Sequence, residues 1–167
     1  MVLGTSLMKT RLIALTFFCM GCHANDSIIS DSAELDRYSL RLSQNTENCI
    51  LLVSENNKEA TYDLKLRPPC HFARNDAKIL QTYPYKNQGV TSVALVIGGP
   101  ITEDQRKKWN LHKDLVCGEQ KQAILLTPTN LTTSTGVLEG GISCKNKSID
   151  EKDFYYFAMQ FNEKSKN

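Results

Sequence analysis

The chain has 167 residues, 20 Lys+Arg against 18 Asp+Glu, and a formal net charge of +2. That length bounds it to about one domain, and so small a charge gives no electrostatic case for nucleic acid or an anionic membrane as partner. No stretch reaches the ~18–20 consecutive apolar residues of a membrane-spanning helix.

The first residues read as an export signal. Met8-Lys9-Thr10-Arg11 is a short basic start, and Leu12 to Gly21 follows without a charge, which is the order of a secretory leader of bacterial type. The leader is expected over residues 1–24, starting at Met1 or, in better proportion, at Met8. Two exits compete. Cleavage after Cys22-His23-Ala24 follows small residues and releases the protein; Gly21-Cys22 is instead lipobox-like and would keep Cys22 as a diacylated anchor. Cys19 stands where a lipobox usually has Leu, Val or Ile, which favours release. The expected location is therefore the periplasm or outside the cell, with an outer-membrane lipoprotein as the alternative. The leader removes Lys9 and Arg11 and leaves 18 cations against 18 anions, so the excess positive charge belongs to the export signal.

Cys19 and Cys22 also fall in the leader, and Cys49, Cys70, Cys117 and Cys144 remain. Four cysteines in an oxidising compartment predict two disulfides. Of the three pairings, Cys49–Cys70 and Cys117–Cys144 are favoured because each brackets a plausible hairpin.

Residues 25–36 are polar and aperiodic and are expected to form a flexible lead-in, with a single globular domain over 37–167. Tyr38 to Leu42 alternates apolar and polar, the period of a half-buried strand. Cys49 to Val53 is a short covered strand, Glu55-Asn56-Asn57-Lys58 a turn, and Tyr62, Leu64 and Leu66 mark the next strand. Pro68-Pro69 stops it. Lys78 to Tyr85 is expected to be extended. Val90 to Ile97 is apolar on both faces and belongs at the centre of a sheet, with Gly98-Gly99-Pro100 ending it. Thr102 and Gln105 have capping-box spacing and open a short helix through Trp109. Ala123 to Leu126 and Thr135 to Leu138 are further strands, with Gly140-Gly141 a turn. Ser148 and Glu151 repeat the capping pattern, and Phe154, Phe157, Ala158 and Phe161 follow helical spacing. Tyr155, Phe157, Met159 and Phe161 also alternate as in a strand; the helix is favoured. The expected fold is β-rich α+β: a curved antiparallel sheet or sandwich with one or two helices and two disulfides.

Few residues carry a chemical motif. Cys70 beside His71, and Cys117 near Glu119, have the ingredients of an activated thiolate, but disulfide membership explains both cysteines better. His71, His112, Cys70 and Cys117 match no compact zinc spacing. Serine-hydrolase and phosphate-loop patterns are missing. No catalytic residue, metal or other cofactor is expected.

Two basic, aromatic stretches remain as candidate interfaces: Arg67, His71, Phe72 and Arg74 around one expected disulfide, and Arg106, Lys107 and Trp109, with Lys108, His112 and Lys113, after the Gly-Gly-Pro run. Tryptophan and arginine are favoured at interfaces. Burial tendencies nevertheless favour Phe72 and Trp109 as core residues. The leading functional expectation is an exported binding protein, such as an inhibitor or immunity-type factor with a protein partner in the envelope or periplasm. A small exported hydrolase with a fold-assembled site, and a structural or assembly component of the envelope anchored to the membrane through Cys22, are the alternatives.

Overall fold

A computed structural model describes residues 28–165 together with Met1. The leader, its two start positions and Cys22 lie outside the described residues.

The first four strands are β1 (Ile28–Leu35), β2 (Tyr38–Gln44), β3 (Cys49–Glu55) and β4 (Lys58–Leu64). They pair in sequence order as an antiparallel meander. Alternation sets their inner face: Leu40, Leu42, Leu51 and Val53 point to the core, while Ser39 and Arg41 point away from it. The β3–β4 hairpin turns on Asn56 and Asn57, both at positive φ (47° and 63°), the backbone that a two-residue hairpin favours and asparagine tolerates.

The second sheet contains β5 (His71–Phe72), β6 (Thr82–Tyr85), β7 (Val90–Pro100), β8 (Cys117–Leu126), β9 (Leu131–Thr133) and β10 (Leu138–Cys144). Its path is β10-β8-β7-β5, with β6 on β7 and β9 on β8. β7 is buried on both faces as its composition predicts. Ala94 and Val96 meet the first sheet, whereas Val93, Leu95 and Ile97 meet helix α2 (Glu151–Ser165) through Phe154, Phe157 and Ala158. The layers are thus sheet, sheet and helix, an α+β arrangement with two apolar seams. The short helix α1 (Glu103–Lys108) lies between β7 and β8. Among the described residues, no helix is long and apolar enough to cross a membrane.

Both disulfides join the favoured partners, Cys49 to Cys70 and Cys117 to Cys144. The C-terminal segment is a helix, because the Phe154, Phe157 and Ala158 stripe finds the open face of β7 and β8.

Four expectations are corrected. Residues 28–35, expected in the flexible lead-in, form strand β1. Its polar composition is deceptive, because Asp31 accepts from the Phe72 backbone N–H (3.0 Å) and pairs with Arg74 (2.9 Å). β7 continues through Gly98-Gly99-Pro100, pairing Pro100 with Gly118. Glycine at 98 reflects a close approach, since a Cβ there would sit 2.8 Å from Arg67 O and 2.9 Å from Cys70 Sγ. β8 begins at Cys117, six residues before the apolar run. Gln120 and Gln122 are buried in it with their amides satisfied. Gln122 Oε1 accepts from Lys65 N–H (2.8 Å) and Gln120 Oε1 from Arg67 N–H (3.0 Å), so side chains stand in for ladder partners where the chain passes between sheets. Finally, of the strand expected over Thr135 to Leu138 only Leu138 is in a strand, as the first residue of β10. Gly140 and Gly141 (φ 84° and 66°) form an irregularity inside β10, with the register shifting between Glu139 and Ser143.

Candidate functional site

The connection from β7 to β8 is the most elaborately braced surface feature. Thr102 caps α1 in a complete capping box: the Gln105 N–H donates to Thr102 Oγ1 (3.2 Å), and the Thr102 N–H donates to Gln105 Oε1 (2.7 Å). Glu103 and Asp104 occupy the first turn and Arg106, Lys107 and Lys108 the last, each favourable to the helix dipole. The helix ends in a Schellman motif. Asn110, at φ 49°, donates to Lys107 O (3.1 Å), and Leu111 donates to Arg106 O (3.0 Å).

Arg106 then ties the rest of the loop down. Its guanidinium donates to the carbonyls of His112 (2.9 Å) and Leu115 (3.1 Å) and pairs with Glu103 at 3.6 Å. Underneath, Ile101, Leu111, Leu115 and Ile142 pack on the Cys117–Cys144 bridge as a small separate core. On the base side, Gln105 Nε2 donates to Glu119 (2.7 Å), whose other oxygen receives Arg67 (3.0 Å).

Trp109 stands on this braced loop, 62% exposed, and it is the only tryptophan in the sequence. Burial tendencies favoured it as core, and the structure reverses that. The apolar positions that do turn inward are Ile101, Leu111 and Leu115, which leaves the indole at the cap on the outside. Lys107, Lys108, His112, Lys113 and Val116 are exposed around the same loop.

The other candidate stretch is used internally. Phe72 is fully buried in the seam between the sheets, and His71 is buried on the opposite face of β5. His71 Nε2 has no hydrogen-bond partner. Burial pushes its pKa down to about 4, with Lys145 acting in the same direction and Asp31 against it. Arg74 is largely covered and holds Asp31, and Arg67 is exposed and holds Glu119. The structure therefore does not bring these four residues together as a contact surface. Nor does His71 activate a thiolate, because Cys70 is in a disulfide.

A third feature was not legible in the sequence. Lys121 lies on the helix-facing side of β8, with its side chain 3% exposed. Its Nζ donates to Gly140 O (3.1 Å) and Gly141 O (3.5 Å) and pairs with Asp153 at 3.3 Å. It floors a cleft of roughly 470 Å³ between the β10 irregularity and the start of α2. On the rim, Lys152 pairs with Asp150 (3.2 Å) and Lys147 with Asp76 (3.4 Å). A salt-bridged ammonium with its donors engaged is not a nucleophile. The arrangement is a clamp fixing the irregular strand to the helix. Among the described residues, no group of three or more His, Cys, Asp or Glu could hold a metal ion.

Comparisons with family models, curated proteins and solved structures return no match to this chain.

Proposed function

We propose that this is an exported binding protein of the inhibitor or immunity-factor type, whose β7–β8 loop is the surface that engages a protein partner. The single observation that carries this is Trp109, exposed on a loop whose other features all restrict movement. An aromatic side chain of ~150–250 Å² represents roughly 4–6 kcal/mol of burial free energy at ~25 cal/mol per Å². At 62% exposed, the indole leaves most of that available to a partner. A loop fixed by a capping box, a Schellman turn, the Arg106 contacts and a disulfide also loses little conformational entropy on association. The disulfides fit an oxidising, extracytoplasmic compartment.

The test is affinity capture from envelope and secreted proteins with the oxidised native chain and with Trp109→Ala, both checked by thermal unfolding. The expected result is a stoichiometric protein retained by the native chain and lost by the variant, at an unchanged unfolding midpoint. Equal retention by the variant, or no retained protein, overturns the reading.

A further inference from the structure

The charges around Trp109 are divided unequally between internal and free. Arg106 is spent on Glu103 and two carbonyls, and Asp114 is paired with His112 at 3.2 Å. Lys107, Lys108 and Lys113 are exposed and have no ion-pair partner among the described residues; of the loop's carboxylates, Asp104 is likewise unpaired, and Asp114 meets only the His112 imidazole, which makes an ion pair only when protonated. The three free ammonium groups thus outnumber the two carboxylates, Asp104 and Asp114, that no Lys or Arg neutralises.

Resting on the proposed loop interface, we infer that its partner presents an acidic protein surface, with Asp and Glu carboxylates arranged around an apolar recess that receives the Trp109 indole. Three lysines held on a braced loop offer separate points of attachment to fixed carboxylates, which sets orientation and speeds encounter. The indole supplies the desolvated centre that such an interface needs. A phosphate-rich partner fits less well. A protein surface can set its carboxylates opposite the lysines and away from Glu103, Asp104 and Asp114, whereas the continuous charge of a bilayer or nucleic-acid backbone faces all of them.

The test uses a random peptide library displayed on phage, panned on the oxidised protein. Enriched peptides are then measured against the native chain, Trp109→Ala and the triple variant Lys107→Glu/Lys108→Glu/Lys113→Glu. Circular dichroism and the unfolding midpoint confirm that the variants fold. Enriched peptides should carry Asp or Glu flanking an aliphatic or aromatic residue. Their affinity should fall about thirtyfold with Trp109→Ala and about tenfold or more with the triple variant, and it should weaken as salt rises. Peptides that depend on Trp109 but are neutral or basic would overturn the acidic partner while leaving the loop interface standing. Peptides indifferent to Trp109→Ala, or no enrichment, would overturn both. Binding to phosphatidylglycerol vesicles that depends on Trp109, without acidic peptides, would replace the protein surface by a membrane.

Discussion

Residues 67–74 and 106–113 have much the same ingredients: arginine, histidine and one large aromatic residue beside a disulfide-bonded cysteine. They meet opposite fates. In the first, β5 adds to β7 between the sheets, so Phe72 enters the main core and His71 the opposite side of the same sheet. In the second, the chain leaves the sheet at Pro100 and returns at Cys117, and its aliphatic residues fill the small core beneath, so Trp109 stays outside. The disulfide therefore does not decide exposure. What decides it is whether the adjoining backbone is taken up by a ladder. Where it is, the side chains follow the alternation of the sheet into its two apolar layers; where it is not, local capping and one arginine hold the loop and the aromatic is left free.

The sharpest way to break this contrast is to truncate both aromatics. Phe72→Ala should cost about 3–5 kcal/mol, the price of a large cavity in a packed seam, measured by denaturant unfolding. Trp109→Ala should stay within about 0.5 kcal/mol, as expected for a surface change. Comparable losses from the two would erase the distinction.

Titration probes the buried side on its own. His71 is held neutral in the folded chain, its pKa lowered from 6.5 to about 4. The unfolded chain therefore binds the extra proton first as the pH falls. The stabilisation is complete above about pH 6.5 and is lost as the pH drops from 6.5 towards 4. At ~1.4 kcal/mol per pKa unit, this amounts to on the order of 3 kcal/mol. His71→Leu should flatten that part of the stability profile relative to the native chain. An unchanged slope would mean that His71 is solvated.

Much of this fold is legible in the sequence, for a physical reason. β2, β3 and β7 bury apolar side chains in the pattern that their own residues write out, and Thr102 and Gln105 find each other within one helical turn. The segments that escaped, β1 and the first half of β8, are stabilised through polar side chains whose partners are distant in the chain. Asp31 reaches Phe72 and Arg74, and Gln122 reaches Lys65. Local composition carries no trace of those partners, so polarity is read as exposure. The loop's basic and aromatic character was visible, but its exposure was not. Only the placement of Ile101, Leu111 and Leu115 on the Cys117–Cys144 bridge settles which way Trp109 faces.

Because Trp109 is the only tryptophan, its fluorescence reports on this point without substitution. Acrylamide quenching of the free, oxidised protein should approach that of free indole in water, and it should fall when a peptide selected on the loop is added. An indole already shielded from acrylamide in the free protein would contradict the account.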